Sequence, residues 1–226
     1  MRTSITSQYE ELSNEVAIFN NSVRESLSKN LPAEQLYKGC VMMYSQLLQS
    51  PPFLFIGINP GDEMKNDPKP KIDLTPGEGF EYTNAEGSDW DYRLAKQTRD
   101  LFQQAGLYDC LHKSVKTNVY YFATSREPGL WQLFSLLGED ANRQLHEYAF
   151  DWTRRMIEMI RPKAIICEGI RAFSKLSEIY RVSKKREGSY GYLELPDKTP
   201  VVGYSRRYSD IKDKPQVAEF LRKTVP

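Results

Sequence analysis

Apolar residues recur at helical spacing across residues 7–29, at Leu12, Val16, Ile18, Phe19, Val23 and Leu27, the stripe of an amphipathic helix. A second helical stretch, PAEQLYKGCVMMYSQLLQ, begins at Pro32, where proline suits a first turn, and Pro51-Pro52 ends it. The pattern then changes. FLFIGI, from Phe53 to Ile58, is too short for a helix and too continuous for an edge strand, and predicts a buried parallel strand. VKTNVYYFATS, KAIICEG and TPVVGYS predict three more strands. Helices are predicted between and after them, in DWDYRLAKQTRDLFQQAGL, NRQLHEYAFDWTRRMIEMI, IRAFSKLSEIYR and KPQVAEFLRKTV. Strands alternating with helices predict an α/β fold of three layers, α/β/α, around a central four-stranded parallel sheet. Residues 1–50 are expected to form a helical segment packed on a domain of residues 51–226.

Composition adds exclusions. Of 226 residues, 40% are apolar and 27% charged, enough for a packed core and unlike a disordered chain. No apolar run approaches the ~20 residues that span a bilayer, so no membrane partner is expected. The start, MRTSITSQYEELSNE, lacks the apolar stretch of a signal peptide; a cytoplasmic protein, acting as a monomer, is expected. Cys40, Cys110 and Cys167 are far apart and odd in number, which predicts reduced thiols with no metal, cofactor or disulfide framework. Charge is uneven: residues 1–150 hold 14 Lys/Arg against 20 Asp/Glu, and residues 151–226 hold 17 against 10. A basic C-terminal third suits a polyanionic partner.

In parallel sheets ligands bind beyond the carboxyl ends of the strands, so the residues just past each strand carry the candidate chemistry. No GxxxxGKS or GxxxxGKT phosphate loop, no GxGxxG after a strand and no GxSxG is present. The two histidines, His112 and His146, do not stand directly after strands. FLFIGI runs straight into Asn59-Pro60-Gly61. Proline pushes Asn59 to extended backbone, and Pro60-Gly61 fits the centre of a type II turn. Such a turn would hold the Asn59 amide at the end of the sheet, where an amide orients water or a base without itself being a strong base. Residues 62–89 then form a long loop rich in Gly, Pro, Asp and Asn, and long loops in compact domains are commonly functional.

FIGINPG resembles the first motif of the uracil-DNA glycosylase superfamily, closest to the mismatch-specific uracil/thymine glycosylases, with a near relative in the single-strand-selective uracil glycosylases. Further similarities occur in order. GFEY (Gly79–Tyr82) resembles the GFPF segment of the mismatch-specific group, KTNVYYF the second strand, and IRPKAIICEGIRAFSKL the third strand and its helix. Together they span residues 53–221. The superfamily often carries His-Pro-Ser after the fourth strand; here the residues are Tyr204, Ser205, Arg206 and Arg207.

The resemblance implies a monofunctional DNA glycosylase, which flips a base out of the stack and hydrolyses its N-glycosidic bond. Asn59 would place the attacking water, with Asp62 or Glu63 as the assisting carboxylate and Glu168 behind them. Gly57, Ile58 and Gly61 would line the base, Phe80 or Tyr82 would stack on it, and Asn118 would read its edge. Tyr204, Ser205, Arg206 and Arg207, with Lys184, Lys185 and Arg186, would contact DNA. The substrate is left open between uracil and a bulky modified pyrimidine such as one in phage DNA, that is, between repair and defence. A DNA-binding relative without activity and a nucleoside hydrolase are the competing readings.

Overall fold

The computed structural model describes residues 4–61 and 70–224. In chain order the helices are α1 (Ile5–Leu27), α2 (Leu31–Leu36), α3 (Glu81–Asn84), α4 (Arg93–Ala105), α5 (Glu127–Leu136), α6 (Glu139–Ile160), α7 (Ile170–Tyr180) and α8 (Lys214–Thr224). The strands are β1 (Gly39–Val41), β2 (Phe53–Gly57), β3 (Lys71–Asp73), β4 (Val115–Asn118), β5 (Phe122–Ala123), β6 (Ala164–Cys167), β7 (Lys185–Glu187), β8 (Tyr190–Glu194), β9 (Pro200–Tyr204), β10 (Arg206–Arg207) and β11 (Asp210–Ile211). They divide between two compact units.

The first, here the sheet unit, comprises Tyr44–Gly57, Pro76–Thr117 and Ile160–Pro226. It holds a six-stranded sheet ordered β4-β2-β6-β9-β8-β7 and a separate antiparallel pair, β10 and β11. β2, β6 and β9 run parallel, while β8 pairs antiparallel with β9 and β7 with β8. The sheet is therefore mixed and larger than four strands. Phe53, Phe55, Ile166, Val202 and Tyr204 turn to one face, where they form a core with Leu101 and Phe102 of α4 and Ala218 and Leu221 of α8. Alternation sends Leu54, Ile165, Val201 and Gly203 to the other face, where Phe173 of α7 closes directly onto Gly203 and Gly191.

The second, the helical unit, comprises Met1–Met43, Ile58–Thr75 and Asn118–Met159. A small sheet, ordered β3-β1-β5, pairs β1 in parallel with β3 and antiparallel with β5. α1 is held to the chain after β3 by Tyr9 Oη and Ser13 Oγ, which both donate to the Leu74 carbonyl at 3.0 and 3.3 Å. Trp152 of α6 meets Phe19 edge-on and stacks on Tyr121, the planes 8° apart. Arg155 forks onto Glu15 at 2.5 and 2.8 Å, and that hydrogen bond holds the Glu15 carboxyl below its usual range.

Three expected elements differ, the first being the loop expected over residues 62–89, which holds β3 and α3. The helix expected from Pro32 to Gln49 stops at Leu36, and the chain enters β1 at Gly39, whose φ of 129° no helix allows. A Cβ there would stand 1.8 Å from the Lys71 carbonyl oxygen; only glycine permits β1 to lie this close to β3. The spacing of Val41, Met42 and Met43 imitated a helix because these residues are buried on both sides of a strand and its exit. The strand expected in VKTNVYYFATS is two strands in two sheets, β4 and β5, separated by the buried residues Val119, Tyr120 and Tyr121.

The contact of α7 with the sheet yields a test. A Cβ at Gly203 would lie 2.4 Å from Phe173 Cβ, too close for any packed pair. Gly203→Ala is expected to destabilise the protein by about 1–3 kcal/mol through overpacking and to lower the melting temperature by several degrees. Thermal unfolding checks this, and an unchanged melting temperature would contradict the close packing of α7 on β9.

Candidate site at the strand ends

Beyond β2, in the helical unit, residues 58–61 are laced to the chain beyond β4. The Tyr120 N–H donates to Ile58 O at 3.0 Å, and the Thr124 N–H to Pro60 O at 3.4 Å. The Asn59 amide closes the junction: its Nδ2 donates to Pro60 O at 2.8 Å and Thr124 Oγ1 at 3.1 Å, with Phe122 O at 3.5 Å. Thr124 Oγ1 donates onward to Arg126 O at 2.8 Å. The donor end of Asn59 is thus committed, and what the amide has to offer a ligand is its Oδ1 acceptor. Gly61 is exposed and does not take positive φ, so Pro60-Gly61 is not the expected type II turn; the Pro60 carbonyl is instead drawn to Thr124 and Asn59.

Asn118, at the end of β4, is the counterpart. Its side chain is 3% exposed and its Nδ2 has no hydrogen-bond partner among the described residues. A buried amide donor left unpaired costs about 1–3 kcal/mol, so such groups are rare unless something completes them. Gly57 and Ile58 are buried. Asp62 and Glu63 lie outside the described residues.

In the sheet unit the carboxyl end of β6 carries a buried charge cluster. Glu168 is 4% exposed. Its carboxylate accepts from Tyr82 Oη at 2.5 Å and lies 3.9 Å from Lys116 Nζ. Lys116, also buried, pairs with Glu81 and stands over the Tyr82 ring, 4.1 Å from its centroid. Tyr92 donates to the same Glu81. Burial, with the Glu168 charge second, pushes the Tyr82 hydroxyl well above its usual range, so it acts as a donor. The Tyr82 carbonyl accepts from Arg99 at 2.5 Å, and Arg99 forks onto Asp91 at 2.8 Å. Phe80 and Tyr82 are fully buried, packed on Phe55 and on each other; neither ring presents a free face for stacking.

The basic residues are distributed at the end of β9. Tyr204 is fully buried in the core and is no surface group. Ser205 is half-buried, and its N–H donates to Ser189 O at 2.5 Å. Arg206 Nε donates to the Glu168 carbonyl at 3.1 Å, and Arg207 is exposed. Lys184, Lys185 and Arg186 are exposed on and before β7. The turn between β7 and β8 holds Ser189, so the Ser205 bond brings this basic edge beside Arg206 and Arg207.

The structure thus joins Asn59 with Thr124, and Tyr82 with Glu168, and leaves Asn118 buried at the end of β4. Lys116, Glu81 and Thr124 escaped the sequence reading, since β4 reads Val-Lys-Thr-Asn and nothing in it marks Lys116 as buried. Among the described residues, no group of His, Cys, Asp and Glu is arranged to hold a metal ion, and no helix is long and apolar enough to cross a membrane. No family model matches the chain, and no curated protein matches it.

Removing one partner of a buried pair strands the others. Lys116→Met is expected to cost about 3–5 kcal/mol in denaturant unfolding. Adding Glu81→Gln to that variant should recover part of the loss, whereas Glu81→Gln alone should be destabilising.

Proposed function

We propose that the chain is a monofunctional DNA glycosylase with a uracil-DNA glycosylase-like, three-layer α/β/α arrangement of its larger sheet, working as a monomer in the cytoplasm. The observation that carries the reading is the unpaired amide of Asn118. A pyrimidine edge offers the carbonyl acceptor that this donor lacks, and an amide also accepts from a ring N–H.

In this reading a nucleotide is flipped from the stack and its base edge meets Asn118. The bond from the sugar C1′ to the base nitrogen breaks, its electron pair leaving with the base and oxocarbenium character building on the sugar. Asn59 Oδ1 accepts a hydrogen bond from water and aims the water oxygen at C1′, while Nδ2, held by Pro60 O and Thr124 Oγ1, fixes the amide plane. Main-chain N–H groups near Gly61 offset charge on the departing base. The water proton passes to a carboxylate, with Asp62 and Glu63 directly after the junction in sequence. Glu168 is not that base: its oxygens are occupied by Tyr82 and Lys116. Arg206, Arg207 and the β7 cations contribute phosphate contacts, which make affinity fall with salt.

A second reading, a DNA-binding relative without activity, is favoured by one observation: Phe80 and Tyr82 are sealed in the core, so the stacking expected of them requires α3 to move. A single experiment separates the readings. DNA containing uracil, mispaired thymine or bulky modified cytosines is incubated with the protein and probed for abasic sites. Excision is expected on at least one of them, and its absence on all, by a folded protein, refutes the enzymatic reading. Asn118→Leu should lower excision by about 100-fold or more, equivalent to about 2.7 kcal/mol of barrier. It should leave stability equal or higher, because it removes an unpaired buried donor. A purely structural asparagine would give the opposite pair of results.

A further inference from the structure

In the sheet unit the exposed large apolar side chains, among the described residues, are Trp90, 54% exposed, and Tyr208, 86% exposed. Tyr208 occupies the two-residue tip between β10 and β11, with φ 56°, a left-handed conformation that an aromatic residue seldom takes. The hairpin beneath it is braced on several sides. Arg206 pairs with Ile211 and Arg207 with Asp210, the Lys212 N–H donates to Ser205 O at 3.0 Å, and Ser189 Oγ donates to Asp213. Arg93, the first residue of α4, clasps Asp210 at 2.7 Å, and Trp90 stands three residues ahead of Arg93 in the chain. One exposed ring therefore stands three residues before Arg93 and the other two residues before Asp210, the partners of one ion pair, and Arg207 beside Tyr208 is exposed.

We infer that Trp90 and Tyr208 form a stacking platform for unpaired nucleotides, and that the strand it takes is single-stranded DNA. A closed duplex buries the faces of its bases and shows only their edges, whereas an exposed ring gains by covering a base face. An exposed neutral ring next to the exposed Arg207, as Tyr208 is, suits a chain that alternates flat bases with phosphates. A rigid hairpin spends little ordering entropy on binding. The bracing of the hairpin in the free protein accounts for a ring held out in solvent on a strained backbone. The inference rests on the base-excision reading only for the choice of DNA, and it concerns binding alone.

The test uses the full chain and a labelled oligothymidine, with a hairpin duplex of normal bases as the comparison. Nothing can be excised from these strands, so the result is independent of any glycosylase assay. Tighter binding to the single strand is expected. Tyr208→Ala should weaken it by about 5- to 50-fold with an unchanged salt slope, while Tyr208→Phe keeps the affinity. Arg207→Gln should instead flatten the salt slope. Quenching of tryptophan emission on binding should vanish in Trp90→Phe. Tyr208 is exposed, so its variants should melt with the parent. Unchanged affinity in Tyr208→Ala, or a parent that prefers the duplex, overturns the proposal.

Discussion

Burial of the Glu168 carboxylate is the constraint on which the sheet unit depends. An ionised group taken out of water costs several kcal/mol unless its partners are in place. Here every polar group of the residue is engaged. Its N–H donates to Ile56 O at 2.9 Å, its carbonyl accepts from Arg206, and its carboxylate lies between Tyr82 Oη and Lys116 Nζ. One residue therefore ties β2 to β6, and fixes α3, β4 and the Arg206 hairpin around the end of β6. The same bonds remove Tyr82 from the solvent-facing chemistry, since its hydroxyl serves Glu168 and its ring lies under an ammonium. A residue expected to touch a base is here a structural one unless the cluster opens.

The two asparagines of the helical unit stand in contrast to that saturation. Asn59 spends its donors on its own junction and is rigid as a result. Asn118 is as deeply buried as Glu168, yet its Nδ2 has no partner among the described residues. Other buried polar atoms also lack a partner among the described residues; the proposal turns on the amide because it stands at a strand end. Sites commonly violate local rules that the rest of a fold obeys.

Much of the fold is legible because burial on both faces leaves continuous apolar runs. FLFIG, AIIC and PVVGY read directly as strands, and Gly106, with φ 73°, marks the end of α4 as expected. Where the reading fails, one backbone feature or one long-range pairing decides. Gly39 turns an apparent helix into β1 through its close approach to Lys71. The hairpin of β7 and β8 was hidden by its cations, although Tyr190, Tyr192 and Glu194 alternate with Gly191 and Leu193 as a strand should. Asn59 drew notice by its place just past β2, where ligands of parallel sheets bind, and Asn118 through the resemblance of KTNVYYF. The Lys116 cluster was not legible, because its partners Glu81 and Glu168 are distant in sequence and only the fold brings them together.

The central claim, that the Asn118 amide waits for a pyrimidine edge, is tested most directly by nuclear magnetic resonance of side-chain amides. The Asn118 NH2 signals, assigned by their loss in Asn118→Leu, would be followed as free pyrimidine bases, including uracil and 5-substituted cytosines, are added. The account predicts a saturable downfield shift of that pair with at least one base, reflecting a new hydrogen bond to Nδ2. Asn118 signals that stay fixed with every pyrimidine, in a protein that remains folded, would contradict it.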